Sequence, residues 1–179
     1  MTHVRLPLSA SAPGFDLPGV DGRRHRLEDF QAQPLLLVLF TCNHCPYVQA
    51  YEERIVALHR EFAPRGVALV CINSNDEKLV PEDSFEHMKV RARERGFEFP
   101  YLRDASQGVA EAFGAECTPQ AFLFDGGRKL RYVGRIDDNW REPDRVSRRE
   151  LRDALDALLA GKPVPEPETN AIGCTIKWR

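Results

Sequence analysis

The residues with the clearest capacity for chemistry lie in the segment FTCNHCPYV, at positions 40–48. Two cysteines, Cys42 and Cys45, are separated by two residues, one of which is His44, and Pro46 follows directly. This pattern is compatible with a redox-active dithiol, with half of a metal site, or with the attacking thiol of a peroxidase. The elements around the segment bear on the choice.

Two continuous apolar runs flank the segment, LLLVLF at 35–40 and VALVCI at 67–72. Each has the length and the two-sided apolar character of a central parallel strand. Between them an apolar stripe at three- or four-residue spacing predicts an amphipathic helix. Strand, helix and strand make a right-handed βαβ unit. This unit places the two cysteines at the carboxyl end of a central strand and at the start of the following helix.

The start of a helix favours a thiolate, because unpaired N–H groups and the positive end of the helix dipole lie there. Such a cysteine can fall from a pKa near 8.5 to between roughly 3.5 and 7.5. The thiolate is the form that attacks disulfides and peroxides. Cysteines three positions apart are also near enough to close and open a disulfide. When protonated, His44 is expected to stabilise the thiolate and to make the couple more oxidising.

The remaining elements complete a mixed α/β pattern. A hairpin is predicted within 13–30, helices at 84–95 and 106–113, and an antiparallel hairpin from QAFLF (120–124) and LRYVGRI (130–136). Asp83 with Glu86, and Ser147 with Glu150, have the spacing of capping boxes, which predicts that they open the second and the last helix.

Two further segments are expected near the dithiol. The bond between Thr118 and Pro119, at a strand start, is a candidate cis peptide. The division of the chain is predicted as a domain of residues 1–162 followed by a proline-rich spacer and tail at 163–179. Ile172, Cys174, Ile176 and Trp178 alternate in that tail, which favours docking as a strand-like segment.

Composition excludes some functions. The chain has 179 residues, enough for one domain, with 25 basic and 27 acidic side chains and a net charge of -2. It lacks the positive excess that nucleic-acid binding needs. The N-terminus has no apolar leader pattern, and no run is long enough for a membrane helix. We therefore expect a cytoplasmic protein with no nucleic-acid or membrane partner.

The sequence also resembles a known family over nearly its whole length. The segments that carry the resemblance are APGFDLPGVDG, FTCNHCPYV, the Thr118-Pro119 turn, INSND, YLRD, FLFD, GRIDDNW and GCTIKW. Together they resemble bacterial peroxiredoxin-like thioredoxin-fold proteins of the alkyl hydroperoxide reductase and thiol-specific antioxidant superfamily. The resemblance implies a thioredoxin-like fold, a three-layer α/β/α arrangement on a central mixed sheet, with an N-terminal β-hairpin extension and a docked C-terminal tail. It also implies a cis bond before Pro119 facing the dithiol, and thiol-based redox activity.

The sequence departs from two patterns that the resemblance would imply. Thioredoxins carry a buried acid on the strand before the dithiol, and here residues 34–41 contain none. Proton transfer to Cys45 must then come from elsewhere. Peroxiredoxins carry a threonine three residues before the peroxidatic cysteine, whereas Thr41 lies four residues before Cys45.

Three functions remain open at this point. The first is a thiol-disulfide oxidoreductase in which Cys42, expected to be the more exposed thiolate, attacks and Cys45 resolves, with Thr118 and Pro119 beside them. The second is a thiol peroxidase in which Cys45 attacks the peroxide. The third is a metal-binding thioredoxin-fold module using Cys42, Cys45 and His44, although no second ligand pair completes a closed site.

Four further residues are accessory candidates. Arg135 could stabilise a thiolate, and Thr41 precedes the dithiol. Cys117 and Cys174 could act as additional redox thiols, although a silent thiol is favoured for the first and a docked structural thiol for the second. The expected partners are disulfide proteins or small thiols together with a reducing partner. No bound dinucleotide is predicted, because the sequence has no nucleotide-binding glycine loop. No other cofactor is predicted, and a metal belongs only to the third function.

Overall fold

The computed structural model describes residues 4–179. Its strands are β1 (Asp16–Pro18), β2 (Arg24–Arg26), β3 (Leu35–Phe40), β4 (Val67–Asn73), β5 (Tyr101–Arg103), β6 (Cys117–Thr118), β7 (Gln120–Phe124), β8 (Leu130–Gly134) and β9 (Cys174–Thr175). Its α-helices are α1 (Pro46–Phe62), α2 (Phe85–Arg95), α3 (Gly108–Phe113) and α4 (Glu150–Leu159). The order of the helices and of the longer strands agrees with the order predicted from the sequence, whereas the short strands β5 and β6 were not predicted.

The central sheet is mixed, as predicted. Within the described part of the chain it has five strands in the order β5-β4-β3-β7-β8. The central strand β3 pairs in parallel with β4 and antiparallel with β7. Every residue of β3 is buried, because a strand with neighbours on both edges and helices on both faces needs apolar side chains on both faces. The functional segment at 42–45 leaves the sheet from the carboxyl end of this strand.

Helices cover both faces of the sheet. On one face, Leu35, Leu37 and Leu39 pack with the buried residues of α1, α2 and α4. On the other face, Leu36, Val38 and Phe40 pack with α3, with the N-terminal hairpin and with the C-terminal tail. The predicted three-layer α/β/α arrangement is therefore confirmed. In the range 4–179, no helix is long and apolar enough to cross a membrane.

The two terminal segments are both packed on the domain. Strands β1 and β2 form the predicted antiparallel hairpin. At the other end, β9 pairs antiparallel with β6, so that Cys174 lies opposite Thr118. Ile176 is only 4% exposed, whereas Ile172 is 52% exposed. The tail is docked as expected, although Ile172, one of its alternate apolar positions, is largely exposed.

Both capping predictions are wrong. Helix α2 begins after Ser84, whose side chain accepts a hydrogen bond from the N–H of His87, while Asp83 turns into the interior. Helix α4 has no side-chain cap, and Ser147 binds the carboxylate of Asp138 instead. In each case another partner binds the side chain that the local pattern assigned to the helix. The partners of Asp83 are buried, whereas Ser147 and Asp138 meet at the surface.

Candidate active site

Cys45 lies at the position where the chain turns from β3 into α1. It is the N-cap residue of α1, and Pro46 is the first helical residue. Proline costs nothing there because the first N–H groups of a helix have no intrahelical partner. The Cys45 sulfur accepts hydrogen bonds from the N–H of Val48, in the first turn of the helix, and from the N–H of Cys174 in the tail.

The environment of Cys45 favours its thiolate. The thiol of Cys42 donates a hydrogen bond to the Cys45 sulfur, and this bond is the largest influence on its ionisation. A hydrogen bond from the Cys174 thiol acts in the same direction, and together they outweigh burial and lower the pKa of Cys45 to about 4. A free cysteine titrates at about 8.5, so Cys45 is ionised at neutral pH.

Cys42 has the opposite character. Its pKa is raised, first because its thiol proton is held by Cys45, and then because of burial and the nearby Asp83 carboxylate. Cys42 is 2% exposed and Cys45 is 0% exposed. The expectation that Cys42 is the exposed, ionised thiol is therefore wrong. The helix places Cys45, rather than Cys42, among the free N–H groups of its first turn.

A third thiol completes the cluster. The sulfur of Cys174 lies 2.7 Å from the sulfur of Cys45, against about 2.05 Å in a disulfide bond. Cys174 is partly exposed, and burial followed by its contact with Cys45 raises its pKa to about 11. The tail therefore carries a neutral thiol in contact with the Cys45 thiolate.

Thr118, which precedes Pro119, lies against the sulfurs of Cys42 and Cys45. The bond between Thr118 and Pro119 is cis. The hydroxyl of Thr118 is 3.4 Å from the Cys42 sulfur, and its carbonyl oxygen is 3.5 Å from the Cys45 sulfur. Gly173 packs so closely here that a Cβ at that position would lie 2.0 Å from the Thr118 carbonyl oxygen. Tail, cis peptide and dithiol thus form one packed unit.

His44 is paired with a carboxylate, although its imidazole nitrogen lies within 4.8 Å of the Cys42 sulfur. Its Nδ1 lies 2.5 Å from Oδ2 of Asp83, a carboxylate with no exposed surface. A positive charge on His44 would therefore be compensated by Asp83. The hydrogen-bond donors around Cys45, rather than the imidazole, account for the thiolate.

Asp83 is the functional residue that the sequence reasoning missed. Its Oδ1 accepts hydrogen bonds from the N–H of Asn43 at 2.6 Å and from the Asn73 amide at 3.2 Å, and its Oδ2 accepts one from the Asn75 amide at 2.9 Å. It is thus the buried acid that residues 34–41 lack, supplied by another segment. The signal was the polar run INSND at the carboxyl end of β4, where functional groups gather in such sheets.

The same residues could hold a metal ion, but their hydrogen bonding favours a protein-only network. The donor atoms of Cys42, His44 and Asp83 lie within 4.8 Å of one another. In this group of possible metal ligands, Asp83 stands in place of Cys45, which the sequence had suggested as the third ligand. Since both Asp83 oxygens already accept hydrogen bonds from the protein, the carboxylate has a structural role without an ion.

The structure does not bring two accessory candidates to the sulfurs as expected. Arg135 forms an ion pair with buried Glu150, to which its Nε donates at 3.0 Å, because a carboxylate out of water needs a cation. This ion pair gives no support to the accessory role considered for Arg135. Thr41 is buried, and its N–H donates to the carbonyl of Ile72. It is Thr118, from the opposite segment, that supplies a hydroxyl.

Cys117 lies one residue before Thr118 on β6 and is half-buried. Burial and the neighbouring Glu116 raise its pKa to about 11. The silent thiol favoured by the sequence is consistent with this position.

The family can be stated at this point. The model of the AhpC/TSA family matches residues 8–133. This chain belongs to the AhpC/TSA family. The resemblance found in the sequence is thereby confirmed for a segment that contains the dithiol and the Thr118-Pro119 turn.

Other comparisons relate this AhpC/TSA protein to individual proteins. The thiol-disulfide oxidoreductase ResA of Geobacillus thermodenitrificans is 26% identical over 130 residues, 72% of this chain and 69% of that protein. The crystal structure of an uncharacterized conserved protein from Geobacillus kaustophilus superimposes with a TM-score of 0.91 and 45% identity, covering 97% of this chain and 93% of that one. The thioredoxin domain of a thiol-disulfide oxidoreductase from Bacteroides vulgatus has a TM-score of 0.60 and 18% identity over 70% of this chain and 86% of that one. The thioredoxin-like fold is therefore confirmed.

Proposed function

We propose that this protein is a thiol-disulfide oxidoreductase in which Cys42 and Cys45 form the redox pair. The activity class agrees with the family and with the ResA relative. The observation that carries the proposal is the burial of Cys42 and Cys45 in one cluster, where the Thr118 hydroxyl lies 3.4 Å from the first sulfur and the Thr118 carbonyl oxygen 3.5 Å from the second. The Cys42 thiol lowers the pKa of Cys45, so the pair holds one thiolate and one thiol. A thiolate in contact with a second thiol is the pair that disulfide exchange requires.

The reaction transfers two electrons from the pair to a substrate disulfide. The S–S bond of the substrate breaks, an S–S bond forms between Cys42 and Cys45, and the substrate leaves as two thiols. The Cys45 thiolate is the attacking sulfur of the pair, and the Cys42 thiol supplies the second sulfur and a proton for a leaving thiolate. Because the thiolate state of the reduced form is stabilised, the pair is expected to be more oxidising than one with ordinary thiols.

The test is a redox titration combined with an activity assay. After equilibration with mixtures of glutathione and glutathione disulfide, mass spectrometry is expected to find a Cys42–Cys45 disulfide with a single potential. Reduction of insulin disulfides by dithiothreitol should be accelerated by the wild type and by Cys117→Ser, and not by Cys45→Ser. A Cys45→Ser variant with wild-type activity would contradict the proposal.

A thiol peroxidase is the second candidate, and one observation favours it. Cys45 combines a pKa of about 4 with a following proline, which suits attack on peroxide as well as on a disulfide. The commitment of Arg135 to Glu150 removes the cation that was expected to help. Peroxide consumption in the presence of a reducing partner distinguishes the two, because a peroxidase would survive Cys42→Ser and be lost in Cys45→Ser.

The partners and compartment proposed are those of a reducing environment. The substrates are disulfide proteins or small disulfides, and a partner protein or small thiol restores the dithiol. The five cysteines, odd in number and scattered along the chain, suit the cytoplasm, where thiols stay reduced. Cell fractionation with an antibody against this chain checks the location.

A further inference from the structure

The tail is fixed to the domain on the C-terminal side of Cys174. The N–H of Ile176 donates to the carbonyl of Glu116 at 3.1 Å. The N–H of Lys177 donates to Oδ1 of Asn75 at 2.9 Å, and the Lys177 carbonyl accepts from the N–H of Asp76 at 2.9 Å. The side chain of Ile176 is buried with the core beneath α3.

The tail is also fixed on the N-terminal side of Cys174. The N–H of Val133 donates to the carbonyl of Pro167, and the Val133 carbonyl accepts from the N–H of Thr169, both at 3.0 Å. The hydroxyl of Thr169 lies 2.7 Å from the hydroxyl of Tyr132 and accepts from the N–H of Arg135 at 2.9 Å. With anchors on both sides, Cys174 stays in place unless two sets of hydrogen bonds break together.

This arrangement limits how a disulfide can reach the redox pair. Cys42 and Cys45 are 2% and 0% exposed, so neither sulfur is open to a substrate. Cys174 is partly exposed and its sulfur is 2.7 Å from that of Cys45. A thiol that contacts both solvent and the buried thiolate connects the two.

We propose that Cys174 is the thiol that receives the substrate disulfide and passes the oxidation inward to Cys45 and then to Cys42. The proposal rests on the proposed function, since it gives the route by which substrate oxidises the Cys42–Cys45 pair. It assigns a catalytic role to a residue outside the CxxC segment.

The steps balance as three successive exchanges. The Cys174 thiol gives its proton to water, and the Cys174 thiolate attacks the substrate to form a mixed disulfide and release one substrate thiolate, which takes a proton from water. The Cys45 thiolate then attacks the Cys174 sulfur, forming a Cys45–Cys174 disulfide and releasing the second substrate thiolate, which takes the proton of Cys42. The Cys42 thiolate attacks Cys45, which leaves a Cys42–Cys45 disulfide and a Cys174 thiolate that regains a proton from water.

The experiment follows the first sulfur to react. Fully reduced protein is mixed with glutathione disulfide, quenched with acid at increasing times, and mapped by peptide mass spectrometry. In the wild type we expect glutathione on Cys174, or a Cys45–Cys174 disulfide, to precede the Cys42–Cys45 disulfide. In Cys45→Ser the glutathione adduct should accumulate on Cys174, because no thiolate is left to displace it.

The rates give a second readout. In Cys174→Ser, oxidation of the Cys42–Cys45 pair by glutathione disulfide should slow by at least about tenfold, while the equilibrium potential of the pair is still measurable. Cys117→Ser, which removes a half-buried thiol from the strand paired with the tail, is the matched control and should keep the wild-type rate.

Two results would overturn the relay. One is a Cys174→Ser variant that oxidises at the wild-type rate, and the other is a first adduct on Cys42 or Cys45 in the wild type. Either would leave the proposed function intact, provided the Cys42–Cys45 disulfide still forms at equilibrium. If that disulfide forms in neither protein, the proposed function itself fails.

Discussion

The sulfur of Cys45 at the start of α1 lies 2.7 Å from that of Cys174, which follows it by 129 positions. This contact joins the first turn of a helix to a tail that pairs with the strand before the cis peptide bond. The reactive cluster therefore has three thiols, two from the CxxC segment and one from the C-terminal strand β9. The proposed relay requires the tail to be in this position. A substitution at a residue other than cysteine can change that position.

Gly173→Ala is expected to impair the protein although all five cysteines remain. A Cβ at Gly173 would meet the Thr118 carbonyl oxygen at 2.0 Å, so β9 must move away from β6 and carry Cys174 with it. Misplacement by about 1 Å can cost on the order of a hundredfold in rate. Oxidation by glutathione disulfide should therefore slow at least as much as in Cys174→Ser.

Gly14→Ala is the matched control, because a Cβ there meets nothing within 4 Å. It should leave the oxidation rate unchanged. If circular dichroism shows that Gly173→Ala is folded and its oxidation rate equals that of the wild type, the tail contact is dispensable for oxidation.

Cys42→Ala is expected to raise the pKa of Cys45. The hydrogen bond from the Cys42 thiol is the largest of the influences that lower this pKa to about 4, and alanine offers no donor. We expect a rise of about one unit or more. The bonds from Val48 and Cys174 remain and limit the rise. The far-ultraviolet absorbance of the thiolate, followed against pH in both proteins, measures the change. An unchanged titration would mean that the backbone donors alone hold the thiolate.

Much of the fold followed from local patterns. The apolar runs at 35–40 and 67–72 predicted β3 and β4 because strands buried on both faces need apolar residues throughout. The turn at Asp125 predicted the β7–β8 hairpin, because a turn depends only on residues that are neighbours in the sequence. The dithiol's place at the start of α1 followed from the same reasoning.

The details of the site could not be read in this way, because they depend on contacts between distant segments. Asp83 has the local spacing of a helix cap, but buried donors on Asn43 and Asn75 hold it in the interior. Arg135 directly follows the β7–β8 hairpin, which begins after the cis peptide, yet Glu150 binds it. Which cysteine ionises was also decided by tertiary contacts with Cys174.

Arg135→Met is expected to destabilise the protein by about 3–5 kcal/mol, because it leaves the buried Glu150 carboxylate without its cation. Urea unfolding of the reduced protein measures this loss. Replacing Glu150 by Gln as well should recover part of it. Arg145→Ala, at a position whose side chain is 75% exposed, is the control and should change stability little. A large loss of redox rate with unchanged stability would indicate that Arg135 acts in the active site.

Asp83→Asn is expected to act on both stability and Cys42. The amide replaces an acceptor with a donor facing the donors of Asn75 or Asn43, which should cost about 1–3 kcal/mol. Loss of the carboxylate should lower the pKa of Cys42, because Asp83 contributes to raising it. The pH dependence of Cys42 alkylation in a Cys45→Ser background tests this, with the exposed neighbour Glu82→Gln as control. A Cys42 pKa that does not fall would contradict the electrostatic role of Asp83.

The stability of the reduced protein is expected to rise with pH through the ionisation of Cys45. Folding lowers the pKa of this thiol to about 4, whereas the unfolded chain titrates near its ordinary value of about 8.5. A lowered pKa contributes stability that is fully present above the unfolded value and is lost as pH falls through the folded value. The difference in free energy of unfolding between the wild type and Cys45→Ser, in the presence of a reductant, should therefore grow from about pH 4 to about pH 8. Cys174 acts in the opposite sense only above its ordinary pKa, because its pKa is raised to about 11, so this interval reports Cys45. A difference that is constant across the interval would mean that the folded protein does not hold Cys45 as a thiolate.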